Sequence, residues 1–228
     1  MRIIRYLLAA LFLGDLFSTE QYTVLKDFYN THFFGRPLRT MIKPGDKVLE
    51  LGCGKDSLIN RSGLIKKICV TGVDIFQPYV DFHNANGAYK KCIVGDITKM
   101  DFKTREFDAV VCMDVLEHIS KTEGVKLLEK MKVWGRVVII TTPNGEVPGI
   151  PSDNNAHQEH QAGWTAEELR AHGYTVRGVS GWKPLRKPNS QLRHLHPFLF
   201  WAGLSLLSSL IVYYIPSKAF HLQATYEC

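Results

Sequence analysis

The feature that most constrains the fold is a short apolar run, residues 48–51, that is followed directly by Gly52-Cys53-Gly54. The run is typical of a buried strand, and the two glycines let the main chain turn tightly and approach a ligand without an intervening Cβ. A second apolar run, residues 68–73, leads into Asp74. This spacing predicts a strand–helix–strand unit whose carboxylate accepts hydrogen bonds from the ribose of a nucleoside.

The residues around the glycines indicate which nucleoside is bound. A dinucleotide fingerprint needs a third glycine at position 57, and the chain has Ser57 there, which disfavours an NAD-dependent oxidoreductase. Glu50 instead completes the pattern E-x-G-x-G. With this pattern the chain resembles the class I S-adenosylmethionine-dependent methyltransferases, although Asp56 stands where that family usually has a further glycine.

The resemblance implies a set of cofactor-binding residues. Asp74 would accept hydrogen bonds from the ribose, Asp96 would accept one from the adenine amine, and Ile97 would stack on the adenine ring. The full set for S-adenosyl-L-methionine is Glu50, Gly52, Cys53, Gly54, Asp74, Ile75, Asp96, Ile97 and Met113.

A polar segment follows the fourth apolar run and contains the first candidates for catalysis. The segment 114–119, DVLEHI, is similar to the one in small-molecule methyltransferases, including the ubiquinone-pathway O-methyltransferases. It places Asp114 and His118 at the carboxyl edge of the predicted sheet, where open α/β folds bind ligands. The alternative for His118, a histidine at the start of a helix with no chemical role, stays open.

A long polar segment, residues 146–163, carries further candidates for a general base. Its length is typical of an active-site loop, and it contains His157 and His160. His160 ranks first as the base because it precedes Gly163-Trp164 in this loop, ahead of His157 and His118.

Seven apolar runs alternate with helical segments, which predicts an α/β domain. The expected architecture is a Rossmann-like, seven-stranded, mostly parallel sheet with helices on both faces; the resemblance implies that the last strand is antiparallel. Residues 1–44 are expected to form a helical cap and residues 45–228 the methyltransferase domain. Within the cap, residues 1–17 favour an amphipathic helix over a signal peptide, packed on the domain or on a membrane.

An unusual insert, residues 183–217, precedes the last strand. Four cations, Lys183, Arg186, Lys187 and Arg193, come before the uncharged run 198–215. The run is long enough to be a membrane-span candidate, but strands on either side of the insert must pair in one sheet. Two alternatives remain: a helix that lies on an anionic membrane surface, and a helix packed internally or in a dimer, favoured by the small residues Ala202, Ser205 and Ser209.

Composition sets wider limits. A chain of 228 residues with 45% hydrophobic residues is sufficient for one packed domain, and a net charge of +6 suits an anionic surface. Five scattered cysteines have no zinc-type spacing, so no metal site is expected and the thiols indicate a reducing, cytoplasmic environment. A peripheral position at the inner face of the membrane, through the insert, stays open.

The predicted activity is methyl transfer from S-adenosylmethionine to a small-molecule or lipid-like acceptor at oxygen, nitrogen or carbon. No nucleic-acid partner is expected, and a dimer is left open. The alternatives are a non-catalytic, membrane-associated scaffold with the methyltransferase fold and an NAD-dependent oxidoreductase.

Overall fold

A computed structural model describes residues 35–149, 155–187, 191–193 and 198–228. Most of the predicted helical cap, including the amphipathic helix expected over residues 1–17, lies outside the described residues. In the described part, seven strands form one sheet in the order β3-β2-β1-β4-β5-β7-β6. The strands are β1 Lys47–Leu51, β2 Cys69–Asp74, β3 Lys91–Val94, β4 Phe107–Met113, β5 Gly135–Pro143, β6 Thr175–Trp182 and β7 Ala219–Glu227.

Strands β1 to β5 are parallel, and β7 is antiparallel to both of its neighbours, β5 and β6. The predicted seven-stranded, mostly parallel sheet with an antiparallel last strand is therefore confirmed. The pairing of β6 with β7 also confirms that both strands around the insert belong to the same sheet.

The described α-helices connect these strands and begin at recognisable caps. Ser57 caps α2 through its hydroxyl, and Thr165 and Glu168 form a reciprocal capping box at the start of α5. The α-helices are α1 Arg36–Met41, α2 Leu58–Arg61, α3 Gln77–Asn86, α4 Lys121–Trp134, α5 Ala166–Ala171 and α6 Phe198–Val212. Single 3₁₀ turns lie at Leu64–Lys66, Leu116–His118, Ala156–Gln158, Lys183–Leu185 and Pro216–Lys218.

Alternate residues of the central strands supply two separate cores, because successive side chains of a strand point to opposite faces. Val110 packs in the core beneath α4 and α5, whereas its neighbour Val111 packs in the core beneath α1, α2 and α3. Helices therefore cover both faces of the sheet, as predicted. Burial on both faces also explains why the strands read as continuous apolar runs.

The order of the strands reverses between β1 and β4, and the segments that follow these two strands meet at the carboxyl edge of the sheet. Gly52 donates its N–H to the carbonyl of Val73 at 2.7 Å. A Cβ at position 52 would collide with the side chain of Val115, which follows β4. This crevice is where open α/β sheets bind ligands.

Helix α6 packs on the sheet through small residues. Ala202, Ser205 and Ser209 are buried, and the hydroxyl of Ser208 accepts a hydrogen bond of 2.9 Å from the N–H of Trp182 in β6. The small-residue face therefore points inward, as one of the two alternatives expected.

Large apolar side chains at the end of α6 and just beyond it point outward. The exposed residues here are Leu210, Ile211, Tyr214 and Ile215, and Ile211 is 64% exposed. Among the described residues, no helix combines the length and the apolar character needed to cross a membrane.

Candidate active site

A cavity of about 360 Å³ opens at the crevice between β1 and β4. Its walls come from the ends of β1, β2, β3 and β4 and from the segment 155–161. The predicted residues that line it are Gly52, Gly54, Asp74, Ile75, Asp96, Ile97, Asp114, His118 and His157.

The turn after β1 depends on its two glycines. Gly52 and Gly54 have φ of 65° and 53°, a left-handed conformation that glycine adopts without strain. The N–H of Gly54 donates to Oδ2 of Asp74 at 2.9 Å, and its carbonyl accepts a hydrogen bond of 2.6 Å from Nε2 of His83. The turn is thus held in place on both sides of its second glycine.

Asp74 ends β2 with both carboxylate oxygens partly occupied. Oδ2 accepts from Gly54, and Oδ1 accepts from the N–H of Phe76 at 2.9 Å. A carboxylate oxygen can accept more than one hydrogen bond, so both retain acceptor capacity at the cavity wall. This is the arrangement that binding of a ribose diol requires.

Asp96 and Ile97 follow β3 and form the next part of the wall. Oδ1 of Asp96 accepts from the N–H and the hydroxyl of Thr98 at 3.0 and 2.6 Å, and Oδ2 pairs with Lys99 at 3.0 Å. Burial opposes ionisation of Asp96, but these hydrogen bonds from Thr98 and Lys99 outweigh it and lower its pKa. A fixed anion beside an apolar side chain suits the amine and ring of adenine.

Glu50 lies behind the cavity rather than in its wall. Oε1 accepts from the hydroxyl of Ser57 at 2.6 Å, and Oε2 accepts from the hydroxyl of Tyr89 at 2.5 Å. Complete burial raises the pKa of Glu50 to about 7, against the opposing effect of these two hydrogen bonds. Glu50 therefore supports the glycine turn by holding Ser57, the cap of α2.

Two other predicted cofactor residues also do not line the cavity. The Cys53 thiol lies 3.4 Å from that of Cys92 in the core. The thioether of Met113 accepts a hydrogen bond from Thr141 at 3.8 Å.

Asp114 has a strained backbone at the cavity wall. Its φ is 54°, which is uncommon for a residue other than glycine and occurs most often at asparagine and aspartate. Oδ1 accepts from the hydroxyl of Thr141 at 2.9 Å and lies 3.9 Å from Nε2 of His221. The turn directs a half-exposed carboxylate into the site.

Of the three candidate histidines, His118 and His157 line the cavity, and His160 lies next to His118. The ring centroids of His118 and His160 lie 4.8 Å apart in an edge-to-face arrangement. Nδ1 of His118 contacts the carbonyl of Glu159 at 3.2 Å, and Nδ1 of His160 contacts the carbonyl of Val147 at 2.5 Å. Burial lowers the pKa of His118, which favours the neutral form of its ring.

Backbone hydrogen bonds attach the loop that carries His160 to the turn that carries His118. The carbonyl of Glu117 accepts from the N–H groups of Gln161 and Ala162 at 2.7 and 3.1 Å. The indole N–H of Trp164 donates to the carbonyl of Leu116 at 3.2 Å. The Glu117 side chain is buried; burial and the nearby charge of Asp114 raise its pKa well above the usual range.

The comparisons with known proteins agree with this geometry. Residues 49–137 match a family model described as a methyltransferase domain. These residues contain the glycine turn, Asp74, Asp96 and Asp114 in the predicted order. Over residues 49–137 the chain is therefore similar to the class I S-adenosylmethionine-dependent methyltransferases. The resemblance seen in the sequence is thereby confirmed, and the family's cofactor is the predicted one.

The curated relatives are matched over only part of their length. Phosphoethanolamine N-methyltransferase 3 of Arabidopsis thaliana is 26% identical over 142 residues, which are 60% of this chain and 29% of that protein. The ubiquinone biosynthesis O-methyltransferase of Glaesserella parasuis is 30% identical over 90 residues, 36% of this chain and 38% of that protein. The chain thus spans less than two fifths of the length of either relative.

A solved structure shows the same fold. The S-adenosylmethionine-dependent methyltransferase of Archaeoglobus fulgidus superimposes with a TM-score of 0.54 at 13% identity, covering 90% of this chain and 98% of that one. At this identity the likeness establishes the fold of the methyltransferase domain and nothing further.

Sequence reasoning missed several residues that form the wall of the cavity. Tyr79, in the first turn of α3, accepts a hydrogen bond of 3.2 Å from the side-chain amide of Gln158 and thereby closes one side of the cavity. Tyr79 could have been found from its place just beyond Asp74 and Ile75. Asn155, Gln158 and Gln161 have no such signal, because only the docking of their loop brings them to the cavity.

Proposed function

We propose that the protein is an enzyme that transfers the methyl group of S-adenosylmethionine to a small-molecule or lipid-like acceptor. The hydrogen bond between Gly54 and Asp74 carries this proposal, because it joins the glycine turn and the ribose-binding carboxylate in one cavity wall. The cavity volume of about 360 Å³ falls in the range of small-molecule sites, roughly 300–1,000 Å³.

The residues of the cavity fit each part of the cofactor. Asp74 would hold the ribose, Asp96 and Ile97 the adenine, and the backbone at Gly52 and Gly54 the methionine end. When bound, S-adenosylmethionine supplies an electrophilic methyl group on a positively charged sulfonium. The chain contributes mainly orientation, because methyl transfer is an in-line displacement.

The acceptor would occupy the end of the cavity lined by Asp114, His118 and His157. This end lies beyond the glycine turn and the ribose-binding carboxylate. The negative charge of Asp114 must not stabilise the sulfonium more than the transition state, in which that positive charge is being lost. A carboxylate that is half exposed, like that of Asp114, meets this requirement better than a buried one.

The ranking of the histidines changes in this proposal. Sequence reasoning placed His160 first as a base, but His118 lines the cavity and His160 stands beside it. We therefore propose that His118 is nearer to the acceptor than His160, which lies behind it. The names of the relatives, which concern phosphoethanolamine and ubiquinone biosynthesis, support a small-molecule acceptor.

We further propose that the insert 183–217 holds the enzyme at the anionic inner surface of a membrane. Trp182, 44% exposed, lies beside Ser208, and Ile211 follows one helical turn later on the same face of α6. The cations Lys183, Lys187 and Arg193 adjoin this apolar surface in sequence. Lys183 and Arg193 donate to neutral backbone carbonyls, so these contacts leave their charge uncompensated.

Calorimetry and a transfer assay test the proposed activity together. The purified protein should bind S-adenosylmethionine and its demethylated product, but not NADH. Labelled methyl groups should then pass from S-adenosylmethionine to a small-molecule or lipid fraction rather than to RNA or protein. Binding without transfer to any fraction would favour the scaffold alternative, and binding of NADH alone would favour the oxidoreductase.

A further inference from the structure

Three side chains with metal-binding groups converge at the acceptor end of the cavity. The ligand atoms of Glu117, His118 and His160 all lie within 4.8 Å of one another. Glu117 and His118 belong to the 3₁₀ turn after β4, and His160 belongs to the loop attached to that turn through Gln161 and Ala162. Backbone hydrogen bonds therefore hold the two segments together without using the side chains of the cluster.

The hydrogen bonds of the two imidazoles leave one ring nitrogen of each available. A carbonyl oxygen can only accept, so Nδ1 of His118 carries a proton toward Glu159 and Nδ1 of His160 carries one toward Val147. In a neutral ring this leaves a lone pair on each Nε2. Metal-binding histidines typically show this pattern, with one nitrogen on the metal and the other donating to a carbonyl or carboxylate.

Glu117 is a buried acid that has no cationic partner among the described ion pairs. Its side chain is 3% exposed, and the hydroxyl of Thr142 donates to Oε2 at 3.0 Å. The carboxylate of Asp114 lies nearby and adds negative charge. A buried carboxylate requires a proton, a cation or a metal ion, and the two free imidazole nitrogens favour the metal ion.

We propose that Glu117, His118 and His160 bind a divalent transition-metal ion, zinc in the first place, at the acceptor end of the cavity. Two imidazoles and one carboxylate form a ligand set that zinc uses in catalytic sites, with a fourth position open. In a tetrahedral zinc site, neighbouring ligand atoms lie roughly 3.3 Å from one another. Rotation of the partly buried side chains of His118 and His160 would bring the ligand atoms to this separation.

This inference rests on the proposed methyl transfer and specifies how the acceptor is held. Because His118 lines the cavity, the open position of the ion would face the acceptor, which we infer to carry a hydroxyl. A bound ion would lower the pKa of that hydroxyl, and the proton would pass to solvent water. The acceptor oxygen then forms its bond to the methyl carbon as the carbon–sulfur bond breaks. His118 and His160 are thus metal ligands and not proton acceptors.

Metal binding is tested directly and without the methyl-transfer reaction. The full chain is stripped with a chelator and titrated with Zn²⁺ and with Co²⁺, whose visible absorption reports its coordination. We expect one equivalent bound per chain. Single replacements Glu117→Gln, His118→Gln and His160→Gln should each weaken binding at least tenfold.

A matched control is available on the surface. His172 lies 3.0 Å from Glu129 and also combines imidazole with carboxylate, but among the residues that the structure describes no third ligand joins this pair. His172→Gln should bind the metal as the unmodified protein does. Circular dichroism of each variant checks folding; if Glu117→Gln does not fold, the two histidine variants decide the question, because both side chains are partly exposed.

Two outcomes would overturn the inference. One is no stoichiometric binding of either ion by the unmodified protein. The other is binding that survives unchanged in folded His118→Gln and His160→Gln. Calorimetry with S-adenosylhomocysteine on the same samples separates the two proposals. If the unmodified protein does not bind S-adenosylhomocysteine, the proposed activity is refuted, whereas the metal titration still decides the metal site.

Discussion

The backbone N–H of Gly54 donates to Oδ2 of Asp74 at 2.9 Å, and this contact joins the turn after β1 to the end of β2. The two residues come from different strands, and both line the cavity. Because the same carboxylate positions the turn and faces the ligand, a change at Asp74 affects both parts of the cofactor site.

Replacing Asp74 should weaken cofactor binding strongly. Asp74→Ala removes the ribose acceptor and leaves the N–H of Gly54 unpaired. Loss of hydrogen bonds to a charged group costs about 1.5–3 kcal/mol, so the Kd for S-adenosylmethionine should rise roughly 10- to 150-fold. Calorimetry measures this, with Asp81→Ala on the exposed side of α3 as the control. An equal loss in both variants would contradict the assignment.

Alanine replacements at two glycines with nearly the same backbone conformation distinguish backbone strain from a steric collision of the new Cβ. Gly52 and Gly87 have φ of 65° and 63°, but only at Gly52 would a Cβ meet another side chain, that of Val115. Gly87→Ala should cost roughly 1–2 kcal/mol of stability through its left-handed backbone. Gly52→Ala should cost a further 1–3 kcal/mol, roughly, from overpacking and should also abolish cofactor binding. Urea unfolding and calorimetry measure the two effects, and equal losses of stability would contradict this account.

Glu50 should make the stability depend on pH. Burial raises its pKa from 4.5 to about 7 in the folded state, so the folded chain binds more protons than the unfolded chain between these values. The free energy of unfolding therefore falls as the pH rises from 4.5 to 7. Below and above this range, the contribution of Glu50 does not change with pH. The total contribution is about 3 kcal/mol.

The variant Glu50→Gln isolates this contribution, because it cannot ionise and its neighbours Ser57 and Tyr89 can still form hydrogen bonds. We subtract the unfolding free energy of the unmodified protein from that of the variant. This difference should rise by about 3 kcal/mol between pH 4.5 and pH 8. Urea titrations across this range measure it. A difference that does not change with pH would show that Glu50 has the same pKa in both states.

Asp114 should matter for turnover more than for cofactor affinity. Asp114→Asn keeps a residue that tolerates φ of 54° and removes the charge beside the acceptor. We expect kcat to fall at least tenfold while the affinity for S-adenosylmethionine changes only a few-fold. Steady-state kinetics and calorimetry on the same preparation test this. Complete loss of cofactor binding would move Asp114 to the cofactor side.

The proposed membrane surface predicts binding to anionic vesicles. A basic residue near an anionic leaflet contributes about 1 kcal/mol, so Lys187→Glu should lower vesicle binding roughly 5- to 30-fold. Ile211→Asp should lower it as well, because Ile211 is the most exposed aliphatic side chain described on α6. Flotation with vesicles of varied phosphatidylserine content measures both.

The matched control for this surface is Lys67→Glu. Lys67 lies just before β2, which is near the opposite edge of the sheet from β6. It should float as the unmodified protein does. If neither the charge nor the apolar replacement changes flotation, the insert serves only to pack on the sheet.

Much of the fold follows from local patterns. The apolar runs 48–51 and 68–73 agree with β1 and β2 to within one residue at each end. The glycine turn and Asp74 were also recognised, because backbone conformation and strand periodicity are properties of a few neighbouring residues. The antiparallel last strand, in contrast, was inferred from the resemblance and not from its own residues.

The arrangement of side chains around the site was not accessible in the same way. Sequence reasoning placed Glu50 at the cofactor, whereas the structure places it behind the turn, bonded to Ser57 and Tyr89. It ranked His160 above His118, whereas only His118 lines the cavity. Residues far apart in the chain make these contacts, and their relative positions depend on how helices and loops pack on the sheet.

The sequence by itself determined a parallel α/β sheet with a nucleoside site at the end of β1 and β2, because each of those signals lies within one strand and its adjacent turn. The tertiary structure alone decided that Glu117, His118 and His160 converge and that the small face of α6 points inward. The physical reason is that convergence requires the loop after β5 to dock on the turn after β4, and packing between distant segments sets that docking.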